Sequence, residues 1–304
     1  MGHSIMDLLK KPTLLFLTLG HRGFFHWMGD KTYLKTAFHI CMGKKLDLDS
    51  PKTFSEKLQW MKLFDRRSEY TQMVDKYEVK KIVEETIGSQ YIIPTLGVWN
   101  RFDEIEFNKL PEQFVLKCTH DSGGLIICKN KQTLNLKTAK RKMEKCLRKN
   151  YYWGQREWPY KNANPRIIAE KYIEESTGEL NDYKFFCFNG EVKFFKIDFD
   201  RYIEHHANYY DKNCELLPFG EAAYPPIPDR DLKIPNNIYD MMHLAEKLSA
   251  SLPFARIDFY NVDGRIYFGE ITLFPISGLG KYTSDEWDMK IGDMLILPEM
   301  RNPS

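Results

Sequence analysis

The segment that most constrains the fold lies near the C-terminal end, in Phe254-Ala255-Arg256-Ile257-Asp258-Phe259-Tyr260 and Arg265-Ile266-Tyr267-Phe268-Gly269-Glu270-Ile271-Thr272. Both runs alternate polar and apolar residues with the period of two that sends successive side chains to opposite faces of a strand. Asp263-Gly264 marks a turn between them, so the two runs read as a β-hairpin. A strict two-residue turn would put Asp258 and Glu270 on opposite faces and mix polar with apolar on both. An odd loop gathers positions 256, 258, 268, 270 and 272 on one face and leaves Ile257, Phe259, Tyr267 and Ile271 as a coherent apolar face. The pattern therefore predicts the odd loop, with Gly264 in a left-handed bulge position.

On that register Asp258 and Glu270 are neighbours, with Arg256 across from Glu270. Two adjacent carboxylates repel unless a cation lies between them. Hard oxygen ligands at this spacing suit Mg²⁺ bridging to phosphate oxygens. A structural ion-pair cluster built on Arg256 satisfies the same residues, and the hairpin alone leaves both readings open.

Other lysines raise the same question. Phe114-Val115-Leu116-Lys117-Cys118 reads as a buried strand, and a lysine near its end is expensive unless an anion meets it. The turn that follows, Thr119-His120-Asp121-Ser122-Gly123-Gly124, can aim backbone N–H groups at phosphate, or can be a plain hairpin turn before the return strand 125–128. It matches neither the GxxxxGK[ST] loop nor GxGxxG. Ile167-Ile168-Ala169-Glu170-Lys171-Tyr172-Ile173 is an apolar strand ending in Glu-Lys, either an exposed strand end or a backbone edge offered to a flat base. Lys184 sits in Asp182–Phe188, which pairs through Asn189-Gly190 with residues 192–199 as a hairpin. Its partner is either a ligand anion or a neighbouring Asp182 or Glu191.

Helical periodicity appears earlier. Thr53 and Glu56 form a capping box at the head of an amphipathic helix over 53–64. A second helix covers 75–86 and stops at Gly88, after which residues 91–94 lead into an extended stretch. A basic helix spans 134–150, a proline-rich loop 218–235 and a further helix 238–248. Residues 1–64 read as a helical N-terminal region.

The 304 residues carry 43% hydrophobic and 28% charged side chains and a formal net charge of +2, values of an ordinary globular protein rather than a dedicated nucleic-acid binder. Residues 129–149 are strongly basic, which reads as a solvated helix face; no nucleic-acid partner is expected. Six cysteines without a CxxC pair read as small buried hydrophobes in a reducing compartment. The apolar run 14–19 is too short to span a bilayer, and residues 5–28 predict a docking helix. The expected location is the cytoplasm.

In order along the chain stand Asp75-Lys76, Lys117 before the Gly-rich turn, Glu170-Lys171-Tyr172-Ile173, Lys184, and Arg256-Ile257-Asp258 followed by Glu270-Ile271-Thr272. This series resembles an ATP-grasp enzyme over about 65–280. Three stretches resemble the teichuronopeptide-biosynthesis (TupA-like) branch: Pro51-Lys52-Thr53-Phe54-Ser55-Glu56-Lys57-Leu58-Gln59-Trp60, Asp182-Tyr183-Lys184-Phe185-Phe186-Cys187-Phe188-Asn189-Gly190, and Tyr267-Phe268-Gly269-Glu270-Ile271-Thr272.

The resemblance implies an α+β ATP-grasp fold, two α+β lobes clamping ATP, with the short helical region replacing the usual N-terminal α/β lobe. The ATP-grasp domain would run 65–304, its small lobe about 110–170 and its large lobe about 171–300. By position, Lys76 and Lys117 would contact ATP phosphates under a mobile loop of His120, Asp121, Ser122, Gly123 and Gly124. Glu170, Lys171 and Ile173 would form the adenine hinge, and Lys184 would reach the phosphates. Asp258 and Glu270 would hold one or two Mg²⁺ ions, and Arg256 would stabilise the acyl-phosphate oxyanion. Thr272 stands where the family usually has Asn; its hydroxyl can ligate Mg²⁺, so it would join the metal ligands at a weakened second site.

The implied activity is ATP-dependent carboxylate–amine ligation in a bacterial cytoplasm, joining an amine or amino acid to a uronic-acid-containing capsular or surface polysaccharide precursor. Peripheral contact with the polysaccharide-assembly machinery goes with it. Two rivals remain: a glycosyltransferase using Asp198-Phe199-Asp200 as a DxD metal motif, and an ATP-grasp kinase releasing a phosphorylated small molecule. His205-His206 reads as surface or substrate-loop, and Arg201 as a substrate anion contact.

Overall fold

The computed structural model describes residues 12–121, 123–174, 180–200 and 203–299. Three helices open the chain: α1 (Pro12–His21), α2 (Asp30–Met42) and α3 (Phe54–Phe64). The predicted capping box on α3 is present: Thr53 Oγ1 accepts from the Glu56 N–H and the Glu56 carboxylate accepts from the Thr53 N–H. This satisfies two of the donors that every helix start leaves orphaned. Short helices α4 (Glu69–Val74) and α5 (Val79–Thr86) follow, so the helix expected over 75–86 starts late. Asp75 is the reason. Its Oδ1 accepts from the N–H groups of Tyr77 and Glu78 and turns the chain before α5 begins.

Two antiparallel sheets follow. The first has four strands, β1 (Thr95–Trp99), β2 (Phe114–Cys118), β3 (Leu125–Cys128) and β4 (Ile167–Lys171), in the order β1-β4-β2-β3. Helix α6 (Leu136–Leu147) covers it, and Ala139 and Met143 enter a small core with Phe114, Leu116 and Ala169. A short helix α7 (Tyr152–Gln155) precedes β4.

The second sheet has five strands, β5 (Asp182–Phe188), β6 (Glu191–Phe199), β7 (His206–Asp211), β8 (Phe254–Val262) and β9 (Arg265–Thr272), in the order β7-β6-β5-β8-β9. Asn189 and Gly190 both have positive φ, as the two-residue turn between β5 and β6 requires. Helix α8 (Ile238–Ser249) packs on β5, β6 and β8, and α9 (Asp285–Met294) packs on α3. Residues from α2 to α5 share one core with this sheet, and Phe54 stacks edge-on against Phe254.

The hairpin β8–β9 corrects the odd-loop expectation. Val262 pairs with Arg265, so the turn is the strict two-residue Asp263-Gly264, with φ of 50° and 85°. The extra residue is Gly269, a bulge inside β9: Asp258 pairs with Glu270, and Phe259 with Phe268. A Cβ at Gly269 would stand 3.0 Å from the Asp258 carbonyl oxygen, so the strand bends there at a glycine. Asp258 and Glu270 still face each other. Arg256 pairs with Thr272 rather than Glu270, and Phe268, not Tyr267, joins the apolar face.

Candidate functional site

Residues directly opposite in a sheet share a face. Asp182 pairs with Asp198, Lys184 with both Lys196 and Asp258, and Asp258 with Glu270. These ionisable groups therefore form one continuous polar face across β6, β5, β8 and β9. Across from it lie Lys117 of β2 and the turn containing Asp121, Gly123 and Gly124. Between them is a cleft of about 550 Å³, lined also by Lys76, Glu157, Tyr160, His205, Arg256, Thr272 and Ser277. A larger hollow of about 880 Å³ around Arg230 and Asn237 has none of this charge arrangement.

Lys184 is the centre of the face. It is buried, bonded to Asp182, 3.0 Å from Asp198 and 3.4 Å from Asp258. Burial alone would weaken its charge, but the three aspartates hold it well above the usual lysine value. Lys196 directly opposite would repel it. Lys196 is neutralised by Glu221 at 2.9 Å and shares Asp198, at 3.4 Å, with Lys184.

Arg256 closes the other end. Its Nε and Nη2 each donate to Asp258 at 2.7 Å, and Nη2 also donates to Glu270 at 3.0 Å and Thr272 at 2.9 Å. Burial pushes the Asp258 carboxyl up to about 6, against the pull of Arg256 and Lys184. Its place in the cleft also works against the charge of Glu270, yet Arg256, Lys76 and Lys184 hold it down to about 2.

These residues suit Mg²⁺. The donors are hard oxygens, and the Glu270 side chain is 46% exposed, with only Oε1 hydrogen-bonded among the described residues. Arg256 holds both Asp258 oxygens, so an ion at Asp258 would have to displace it.

The other expected residues fall as follows. Lys117 meets Glu170 at 2.6 Å, and Lys80, which sequence reasoning missed, meets the same carboxylate at 2.5 Å. Burial works against all three charges. Even so, Lys117 is held up by Glu170, and Glu170 is held down by Lys117 and then Lys80. The Lys76 ammonium donates to the Asp121 carbonyl, tying it to the Gly-rich turn. Gly123, at φ 113°, supplies a backbone conformation that side chains disfavour. His120 does not face the cleft: it is 1% exposed, with Nε2 3.1 Å from the Lys149 carbonyl oxygen. The Asp121 carboxylate closes its own turn on the Gly124 N–H. Lys171 is exposed and Ile173 half-buried, and neither lines the cleft. Ser122 and Arg201 lie outside the described residues.

The DxD pairing fails on geometry. Asp198 faces the cleft between Lys184 and Lys196, whereas Asp200 lies past the strand end at φ 52° and pairs with Arg230. His205 also differs from expectation. It lines the cleft beside Asp198 at 3.6 Å and against the Tyr224 ring, while His206 is buried on β7. Cys118, Cys128 and Cys187 are buried as expected, whereas Cys41, Cys146 and Cys214 are only half-buried. Cys118, Asp121 and Cys146 lie within 4.8 Å of one another, but burial pushes both thiols up and so favours their protonated form. Among the described residues no helix is long and apolar enough to cross a membrane.

Two antiparallel sheets thus face each other across a charged cleft. The family model described as TupA-like ATPgrasp matches residues 56–296, and the chain belongs to that family. A search of the curated proteins finds no match. Among solved structures, D-alanine–D-alanine ligase from Bacillus anthracis is similar at 15% identity and TM-score 0.39, over 72% of this chain and 59% of that one. Biotin carboxylase from Campylobacter jejuni is similar at 13% identity and TM-score 0.40, over 88% and 53%. D-alanine–D-alanine ligase from Helicobacter pylori is similar at 14% and 0.37, over 68% and 55%. The chain thus spans between half and three-fifths of the length of these relatives. The family assignment rests on the match over 56–296.

Proposed function

We propose that the chain is an ATP-dependent carboxylate–amine ligase, with Mg-ATP held in the cleft and an amide formed through an acyl phosphate. The observation that carries this is the cluster of Arg256, Asp258, Glu270 and Thr272 on one side of the cleft, with Lys184 beside it and Lys117 and Lys76 opposite. Such a cleft offers separate places for cations against phosphate and for hard oxygens against a metal.

Asp258 and Glu270 would hold Mg²⁺, which when bound spreads the charge of the transferring phosphoryl group. Lys76 and Lys117 bind phosphate oxygens from the small sheet, and Lys184 from the large one. Arg256, released from Asp258, turns its planar fork to the substrate carboxylate and then to the developing acyl-phosphate oxygen. Gly123 and Gly124 close over the cleft and keep water from the acyl phosphate. The strand end at Glu170, Lys171 and Ile173 would border the adenine through its backbone edge, since the Lys171 and Ile173 side chains do not line the cleft. The carboxylate class is a uronic acid of a bacterial surface or capsular polysaccharide precursor and the amine an amino acid or similar. The reaction is placed in the cytoplasm, next to the polysaccharide-assembly machinery.

The test is ADP release with D-glucuronate and D-galacturonate, free and nucleotide-linked, against a panel of amino acids. Wild type releases ADP with one such pair, and Glu270→Gln and Lys117→Ala lose it. Full activity in both variants removes these site assignments, and a stable phosphorylated product without amide makes the protein a kinase.

A further inference from the structure

Glu157 lies in the cleft lining yet is 6% exposed. Its Oε1 accepts from the Ser277 hydroxyl, and Oε2 has no hydrogen-bond partner among the described residues. Such a carboxylate usually sits on a cation. Lys62, fully buried nearby, does not fill that place. Its three donors go to Gln59 Oε1 at 3.1 Å, the Gln155 carbonyl at 3.0 Å and the Ser277 carbonyl at 2.7 Å.

Those bonds fix backbone instead. Ile276, Ser277 and Gly278 run left-handed at φ 45°, 54° and 62°, a conformation that a β-branched residue strongly disfavours. Gln59 holds the same turn through the Ser277 and Gly278 carbonyls, each at 2.9 Å. Strain of this kind persists only where its surroundings impose it, and it gathers at ligand sites. Its local result is a hydroxyl aimed at Glu157, leaving one carboxylate oxygen for something in the cleft.

We propose that Glu157 binds the ammonium of the amine cosubstrate and takes its proton, with Ser277 and Lys62 as positioning residues. This rests on the ligase reading above. The ammonium gives one proton to the Glu157 carboxylate. The freed lone pair attacks the acyl-phosphate carbonyl carbon, a C–N bond forms, and the C–O bond to phosphate breaks. The second nitrogen proton leaves on phosphate, and Glu157 returns its proton to water. Burial raises the Glu157 carboxyl, against the pull of Lys62 and the Ser277 hydroxyl, so it takes up a proton more readily than an ordinary carboxylate. The other ionisable groups acting on it are Tyr160 on its own turn and Glu270 on β9.

The test separates attack from activation. Hydroxylamine is uncharged near neutral pH and traps an acyl phosphate without a base. With the uronate that gives most ADP release, Glu157→Gln is expected to keep hydroxamate formation within about 3-fold of wild type. Amide formation with the amino acids falls on the order of 100-fold, as for loss of a general base, and recovers as pH is raised. If both products fall together, or neither falls, the proposal is overturned. A wild type that makes neither product with any uronate overturns the ligase reading instead. Should Glu157→Gln fail to fold, Glu157→Asp is read: a raised KM for the amine with unchanged hydroxamate yield supports the proposal, and equal changes in both overturn it.

Discussion

Arg256 grips both oxygens of Asp258, each at 2.7 Å, across two residues of the same strand. In the proposed site this guanidinium competes with Mg²⁺ for the Asp258 carboxylate. Removing one partner of a buried ion pair costs about 3 kcal/mol or more because the other charge is left uncompensated. Arg256→Met is therefore expected to lower the melting temperature in EDTA and to regain more of it on adding Mg²⁺ than wild type gains. Differential scanning fluorimetry with and without Mg²⁺ reads this directly. An equal Mg²⁺ response in the two proteins counts against a metal at Asp258.

Lys184 gathers three aspartates from three neighbouring strands, Asp182 of β5, Asp198 of β6 and Asp258 of β8. Lys184→Met leaves those carboxylates facing one another. The expected loss is roughly 3–5 kcal/mol in urea unfolding. It should shrink in acid, where the carboxylates protonate.

Glu170 gives the clearest pH dependence. Its folded pKa lies below the ordinary 4.5 because Lys117 and Lys80 outweigh burial. The ionised pair therefore stabilises the fold fully above about 4.5, and that contribution is lost as pH falls through the lower, folded value. At pH 7 Glu170→Gln should cost about 3 kcal/mol, since two lysines lose their counter-charge. The gap to wild type should narrow toward pH 3. A gap independent of pH would show that the pairing does not stabilise the fold.

Gly269 sets the register of Asp258 against Glu270. A methyl group there meets the Asp258 carbonyl oxygen at 3.0 Å and the Tyr260 ring at 3.3 Å. Gly269→Ala is expected to cost about 1–3 kcal/mol, as overpacking does. It should also weaken Mg²⁺ dependence several-fold by shifting Glu270 against Asp258.

The faces of the hairpin are readable from residues 254–272 because the alternation of polar and apolar side chains survives whichever residue is inserted. Where the insertion lies is not. An odd loop and a bulge at Gly269 both put Asp258 and Glu270 on one face, and they differ in which residue stands across from Arg256 and in whether Tyr267 or Phe268 is buried. Asp263-Gly264 is itself a signal for the two-residue turn, and the periodicity outweighed it. Lys117 and Lys184 stand out because a charge in an apolar strand demands a partner. Lys80 and Lys62 do not, because a lysine on a helix ordinarily faces water. Lys62 is buried by carbonyls 93 and 215 residues away in the chain. No local pattern announces such contacts, nor the left-handed run through Ile276 and Ser277.

The central claim is a Mg-ATP site spanning the two sheets. Isothermal titration with Mg²⁺ and a non-hydrolysable ATP analogue, on wild type, Lys117→Ala and Glu270→Gln, tests it most directly. The account predicts binding to wild type and at least about 10-fold weaker binding in each variant, a difference of about 1.4 kcal/mol. Undiminished affinity in both variants, or binding of a UDP-sugar in place of the ATP analogue, would contradict it.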